Sequence, residues 1–472
     1  MLHTQRSYGG SCVAPHHLAA SAGRDVLKQG GNAVEAMVAA AAAIAVVYPH
    51  MNALGGDGFW LIHEPGKAPI AIDACGPAAG LANADFYAGE SHIPERGPKA
   101  ALTMAGTIGG WHEALKVAST WGKQLPLTTL LAGAIRHAEA GISVTQSQEA
   151  LTAKHVERLS QSPGFSDSLL LNGQLPREGE RLRQPRLAAT LKRLAEAGLD
   201  DFYRGKLAAS MAKDLEAVGS PLRLADFHAY RAQRVTPLEV TLQDATLYNL
   251  PAPTQGMASL MILAIYEHLK AAEPNGFDHL HGLIEATKRA FILRDQNVTD
   301  PGRVPTPLQD LLSEENIGLE AAQIDPQHAL PWPHKPAPGD TIWMGTVDSE
   351  GRAVSFIQSI YWEFGSGVVL PESGVLWQNR GISFSLNPDD LRGLAPGRQP
   401  FHTLNPALAK FNDGRTMVYG TMGGEGQPQT QAAVFSRYAL HGMPLQQSIT
   451  APRWLLGRTW GETSTNLKLE AR

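Results

Sequence analysis

The chain has 472 residues, 43% of them hydrophobic and 18% charged, and a formal net charge of −5. This profile excludes a disordered or fibrous chain, and the length suits one large domain or two of medium size. Acidic and basic residues are mixed without a Lys/Arg-rich tract, which argues against nucleic acid as a partner. Two cysteines, Cys12 and Cys75, are too few for a disulfide framework and fit a reducing compartment.

The opening residues MLHTQRSYGGSCVAPHH lack the apolar stretch of a signal peptide. The most apolar run, Ala36 to Val47, is too short to span a bilayer and reads as a buried helix. The expected location is the cytoplasm, with no membrane partner.

In chain order, His17–Gln29 reads as an amphipathic helix closed by Gly30-Gly31, and Asn32 can cap the Ala-rich helix that follows. Glu35 is expected near the exposed first turn of that helix. Leu54-Gly-Gly-Asp-Gly-Phe-Trp-Leu-Ile-His63 reads as tight backbone running into a strand, with a turn at Pro65-Gly66-Lys67 and a second strand over Ile70–Ala74. From Gly110 to about Arg289 the pattern is mostly helical, as over Trp111–Trp121, Leu130–Ala140, Leu187–Ala197, Lys206–Val218 and Ala258–Leu269. Strand pattern interrupts it near Leu238–Leu250.

The character changes in Asp325–Asp340, where prolines between Pro331 and Pro338 exclude regular helix or central strand and imply an exposed linker. A hairpin is expected directly after it: Thr341–Val347, a turn at Asp348-Ser-Glu-Gly351, and Ala353–Ile360. More strand pattern follows at Gly367–Leu370 and Thr416–Gly420. Strands, many helices, then strands again favour a mixed α/β protein with helices covering sheets.

Common catalytic signatures are missing. There is no G-x-S-x-G elbow and no P-loop, and His112-Glu113 lacks the second histidine of a zinc motif. His279 and His281 are two apart, and His16-His17 open a helix; these read as surface or capping histidines. Cys75 reads as a small core residue. Thr341, a hydroxyl residue between a proline-rich linker and a strand, is by itself an ordinary first strand residue.

The ordered set of local matches changes this. Gly30-Gly-Asn-Ala-Val-Glu-Ala36, Val47-Tyr-Pro-His50, Leu54-Gly-Gly-Asp-Gly-Phe59, Gln184-Pro-Arg-Leu-Ala188, Pro251-Ala-Pro-Thr-Gln-Gly256, Glu285-Ala-Thr-Lys-Arg-Ala290 and Asp300-Pro301 come before the linker. Asp340-Thr341, Phe364-Gly-Ser-Gly-Val-Val369, Thr403-Leu-Asn-Pro406, Gly420-Thr-Met-Gly-Gly424 and Ala451-Pro-Arg453 follow it. Over nearly its whole length the sequence resembles the γ-glutamyltranspeptidase family of N-terminal nucleophile hydrolases.

The resemblance implies a four-layer αββα sandwich and a precursor that cuts itself before Thr341. Residues 1–340 would form a large (α) segment and 341–472 a small (β) segment, two cleavage products that stay together as one domain. Thr341 would be the nucleophile. Its freed α-amine, with an ordinary pKa of about 7.7–8.0, would be the base that activates it. Ser359 falls where the family often has a second threonine, and Gly423 and Gly424 would form the oxyanion hole. No metal or organic cofactor is implied. Relatives usually continue some tens of residues past Leu467–Arg472, which points to a C-terminal truncation here.

The glutamate-binding positions depart from the family. Ile72-Asp73-Ala74-Cys75-Gly76 lacks the family's carboxylate-binding arginine, and Ser383 in Trp377–Ser385 replaces the acid that holds the substrate amine. Paired serines become His402-Thr403, and an asparagine becomes Tyr361. These changes argue against a γ-glutamyl donor. Arg380 can grip a small carboxylate bidentately, His402 can add a donor, and Tyr361 would shorten the pocket. This pattern looks like the oxamate amidohydrolase branch, tied to purine breakdown. A γ-glutamyltransferase or glutathione hydrolase, a related acylase, and an inactive scaffold are the alternatives.

Overall fold

The computed structural model describes residues 3–332, 341–457 and 466–471. Its strands, in chain order, are β1 (Ser11–Val13), β2 (Asp57–His63), β3 (Ile70–Ala74), β4 (Ile142–Ser143), β5 (Arg181–Leu182), β6 (Gln233–Val235), β7 (Leu238–Thr241) and β8 (Ala245–Asn249). Beyond the proline-rich segment follow β9 (Ile342–Val347), β10 (Ala353–Ser359), β11 (Ala407–Phe411), β12 (Thr416–Tyr419), β13 (Trp454–Leu456) and β14 (Leu467–Leu469). Six form an antiparallel sheet in the order β1-β9-β10-β2-β3-β6, and four form a second in the order β12-β11-β8-β7. β4/β5 and β13/β14 are separate two-stranded pairs.

Alternation along the strands explains the layering. Side chains two apart share a face. On β2, Phe59 and Leu61 join Ile357 of β10, Ala71 of β3 and Leu408 of β11 in a cluster between the two sheets. The intervening Trp60 and Ile62, with Phe356, Met344 and Ile72, face the other way into a larger core shared with the N-terminal helices. The second sheet repeats the scheme: Leu247, Ala407 and Ala409 pack outward under the helices Gly256–Leu269, Phe277–Asn297 and Gly426–Phe435. Two sheets face to face, each covered outside by helices, make the expected αββα sandwich. All seven residues of β2 are buried because both of its faces are covered.

The helix Ala33–Val47 has no exposed residue. An apolar stripe around the full circumference is the mark of a buried helix. Asn32 caps it as expected, but Glu35 is not exposed. Its carboxylate accepts from Asn32 N (2.9 Å) and from Leu125 N, closing a reciprocal capping box in the core. Gly367–Leu370 is not a strand either: Gly367 has φ 76°, and only Val369 makes an isolated bridge, to Leu376. The run is apolar because it is buried, not because it joins a ladder.

Other elements lie close to their expected places. Lys206–Val218 is helical with those bounds, and the Leu238–Leu250 pattern resolves into β7 and β8. No regular element occupies 323–332, and the linker reading from 333 to 340 falls outside the described residues. His16 caps its helix through Nδ1 and Leu18 N, whereas His279 is a core histidine, 1% exposed and bonded to Ser436. Among the described residues no helix is long and apolar enough to cross a membrane.

Candidate active site

Strand register brings four residues into one row. The β9/β10 ladder ends at Ile342 opposite Gln358, so one step further Thr341 stands across from Ser359. Ser359 is in turn paired with Asp57 at the start of β2. Gly58 pairs with Ala74, which puts Cys75 across from Asp57. By parity all four face the space between the sheets, at one end of the six-stranded sheet. Thr341, Ser359 and Asp57 are each at most 1% exposed.

Asp57 is the residue that sequence reasoning missed here. Its Oδ1 accepts from Gly76 N (3.0 Å), Gly106 N (3.1 Å) and Gln378 Nε2 (3.0 Å). Burial pushes its pKa up to about 7 against the pull of those three donors. Its Oδ2 meets His402 Nε2 at 3.2 Å. His402 Nδ1 accepts the Leu404 N–H, so the neutral ring carries its proton on Nε2 and donates it to Asp57. Burial and the Arg380 charge hold the imidazole far below its ordinary pKa.

Both ring nitrogens of His402 are thus engaged within the protein, and the donor expected for substrate is turned onto Asp57. The Asp57, Cys75 and His402 ligand atoms lie within 4.8 Å of one another, close enough to consider a metal. A metal on Nε2 would force a proton onto Nδ1, against the Leu404 N–H. The cluster suits a shared proton better than an ion.

Arg380 begins a short 3-10 turn (Arg380–Ser383) and is 1% exposed. One Nη1–H reaches Thr403 Oγ1 at 3.3 Å, while Nε and Nη2 have no partner among the described residues. The guanidinium lies over the Tyr361 ring, 3.4 Å from its centroid. Burial lowers its pKa, and Tyr361, Cys75 and Asp57 oppose that. A guanidinium stays charged in proteins, so a buried positive charge keeps N–H donors on Nε and Nη2 to offer.

Tyr361 takes its place against Arg380 at the cost of strain. Its φ of 80° is in the left-handed region, unusual for a bulky residue and costing about 1–3 kcal/mol. The loop is pinned around it. Tyr361 N donates to Ser359 Oγ (2.8 Å), Trp362 N to Asn379 Oδ1 (3.2 Å), and Arg96 to the carbonyls of Glu363 and Gly365. Ser359 therefore serves both the row with Thr341 and the placement of Tyr361.

Gly423 and Gly424 lie in the loop between β12 and the helix Gly426–Phe435, with φ of 105° and 53°. Glycine enters that region without a Cβ penalty, which is why this turn carries the pair. Gln255 connects the turn to the His402-Thr403 loop. Its Nε2 donates to Gly424 O (2.8 Å) and Thr403 O (2.7 Å), and its own N–H donates to His402 O (3.0 Å). Ser383 Oγ lies 3.1 Å from both the Arg380 and the Phe401 carbonyl oxygens, between which its one proton is shared.

The structure thus gathers the expected residues into two linked groups: Thr341 with Ser359, and Arg380, Tyr361, His402 and Thr403, with Gly424 tied in through Gln255. Asp57 had a readable signal. An acid inside Gly55-Gly-Asp-Gly58, two positions before an inward-facing Phe59, must face inward too. Gln255 offered no such signal.

An αββα sandwich with a buried threonine at the head of a central strand defines the N-terminal nucleophile hydrolase class. Comparison with known proteins agrees. The family model described as gamma-glutamyltranspeptidase matches residues 19–472. An oxamate amidohydrolase proenzyme of Klebsiella pneumoniae subsp. pneumoniae is 58% identical over 464 residues, covering 98% of this chain and 88% of that one. A glutathione hydrolase-like YwrD proenzyme of Bacillus subtilis is 40% identical, covering 98% and 87%. Among solved structures, the cephalosporin acylase from Bacillus halodurans superposes with a TM-score of 0.88 at 32% identity, covering 99% of this chain and 87% of that one. The chain belongs to the gamma-glutamyltranspeptidase family.

Proposed function

We propose that this chain is an amidohydrolase proenzyme that cuts itself before Thr341 and then hydrolyses a small amide bearing a carboxylate, oxamate above all. The observation that carries the substrate is Arg380: a buried guanidinium with Nε and Nη2 unpartnered among the described residues and one face covered by Tyr361. Two parallel N–H groups match a carboxylate bidentately. Tyr361 caps the space behind them, which favours a short anion over an amino-acid zwitterion. The K. pneumoniae relative, named for oxamate, supports the same reading.

Cleavage turns the Thr341 amide nitrogen into an amine, a base near neutral pH. The amine takes the Oγ proton, and Oγ attacks the amide carbon of a substrate whose carboxylate is held by Arg380. The oxyanion forms at the Gly423 and Gly424 N–H groups, where each donor is worth about 3–4 kcal/mol. The C–N bond breaks, ammonia leaves with the proton from Thr341, and an ester remains. Water, deprotonated by the same amine, attacks the ester and restores Thr341; oxamate would give oxalate. Ser359 steadies the Thr341 hydroxyl from across the strand. Thr403 holds Arg380, and His402 holds Asp57.

The small amide and the cleaved pair are the partners of this reading. The two free thiols, Cys12 and Cys75, support a cytoplasmic location, and the substrate would place the protein in purine breakdown. Two measurements test it. A denaturing gel should show two pieces split before Thr341; one uncut band after long incubation would favour an inactive scaffold. Ammonia release from oxamate should exceed product release from a γ-glutamyl anilide, and activity on the anilide alone would make this a glutathione hydrolase-type enzyme.

A further inference from the structure

Arg294 lies outside the row and the carboxylate pocket, yet it is 2% exposed and fully engaged. On the helix Phe277–Asn297 it sits above Phe291, with its guanidinium carbon 4.0 Å from the ring centroid, and 5.6 Å from that of Phe401. Its Nε donates to Asp295 Oδ1 (2.8 Å), one Nη to Gln255 Oε1 (3.0 Å) and the other to Glu425 Oε1 (2.9 Å). A guanidinium has no acceptor, so it can meet only the oxygen end of the Gln255 amide. That fixes the flip of the amide. The Gln255 NH2 must then point at Gly424 O and Thr403 O.

Arg294 therefore grips the glycine turn twice, at Glu425 directly and at Gly424 through Gln255. The same Gln255 amide ties the turn to Thr403, the hydroxyl residue that holds Arg380. We infer that Arg294 and Gln255 are positioning residues that set where the Gly423 and Gly424 N–H groups meet the developing oxyanion, relative to the carboxylate anchor at Arg380. The inference rests on the oxyanion reading of those glycines.

The physical requirement is strict. Oxyanion donors contribute only when fixed at hydrogen-bond distance from where charge develops, and the αL geometry of this turn has no strand ladder to hold it. A braced amide and a two-armed guanidinium supply that rigidity. Neither residue touches the substrate. Losing the brace should therefore cost turnover while leaving binding to Arg380 intact.

The test uses the processed protein and whichever amide it turns over best, with kcat expressed per active site titrated by burst. Gln255→Glu keeps an oxygen for Arg294 but removes both donors to Gly424 and Thr403; Arg294→Lys keeps the charge but loses the second arm. Gly424→Ala perturbs the turn itself as a reference. Expected are falls in kcat of ~10- to 100-fold for Gln255→Glu, less for Arg294→Lys, with KM within ~3-fold. Should Gln255→Glu fail to fold, Gln255→Met gives the same reading.

A purely structural role would lower thermal stability and the titrated fraction without moving kcat per site. That result, or a loss confined to KM, overturns the inference while Gly424→Ala still lowers kcat. If Gly424→Ala also leaves kcat unchanged, the oxyanion reading falls and takes this inference with it.

Discussion

Thr341, Ser359 and Asp57 are held in place by strand register; Arg380, Tyr361 and Gly424 are held by side chains reaching across from other elements. The first group inherits its geometry from two antiparallel ladders, where neighbours are fixed by backbone bonds repeated along the strand. The second depends on side chains from several elements, among them the Thr403 hydroxyl on Arg380, the Ser359 hydroxyl on Tyr361 and the Gln255 amide on Gly424. Position set by a ladder is backed by repeated backbone bonds, and position set by a few side chains is not. The ladder group should tolerate neighbouring changes and lose function only when its own reactive atom goes. The loop group should be sensitive to residues that never meet substrate.

The sharpest way to break the comparison is at the ladder's reactive atom. Thr341→Ala should abolish both self-cleavage and hydrolysis, leaving one uncut band and turnover at background, with the sandwich intact by circular dichroism. Next is Arg380→Met. Two charge-assisted bonds to the substrate, at about 1.5–3 kcal/mol each, should be lost, so kcat/KM falls by ~10²–10⁴, mostly through KM. Because it also removes an incompletely paired buried charge, the melting temperature should hold or rise. A drop in melting temperature with unchanged KM would make Arg380 a structural residue.

Ser359→Ala tests whether one side chain serves both groups. It leaves the buried Tyr361 N–H without its acceptor, worth about 1–3 kcal/mol, and should lower kcat about tenfold. Ser359→Thr keeps the hydroxyl and should retain activity; equal losses in Ser359→Ala and Ser359→Thr would show that the hydroxyl is not what matters.

The mildest effect separates the whole fold from the site. Burial, reinforced by His16, pushes His50 down to about 3, and burial, reinforced by His441 and Arg437, pushes His279 down to about 4. Both lie below the ordinary 6.5, so the unfolded chain takes up protons first as pH falls. Stability is complete above 6.5 and declines toward 4, at most ~1.4 kcal/mol per pH unit for each histidine. Neither ring contacts Thr341 or Arg380 in the network above. Replacing His279 by Gln should flatten the melting temperature between pH 6.5 and 4.5 without moving the pH profile of kcat.

Legibility followed the same division. The hairpin β9/β10 and the strands β2 and β3 were readable because alternation and flanking turns state their register. The Ala-rich helix was readable because it is apolar all round. β1 and β11 left no clear pattern, since three to five residues are too few to show a period. Glu35 misled because a carboxylate in a first turn usually means solvent, and only the distant Leu125 N–H reveals why it is buried. The loop contacts were the least legible. Resemblance pointed to Arg380 and the glycine pair, but residues 255, 294 and 425 are brought together only by folding.

The sheet order carries a last consequence. β9 and β10, from beyond Thr341, lie between β1 and β2 from before it; β11 and β12 likewise extend β8 and β7. The two products of a cut at Thr341 are interleaved, so neither owns a complete sheet. A chain cut there would have to finish folding while still continuous, and the cut would then erase the covalent instructions for repeating it. The mature protein would be a molecule with a one-way history, persisting through a slow rate of unfolding rather than through an equilibrium it can re-enter. Heated and cooled, the uncut Thr341→Ala chain should return to its fold, while the cleaved pair should not.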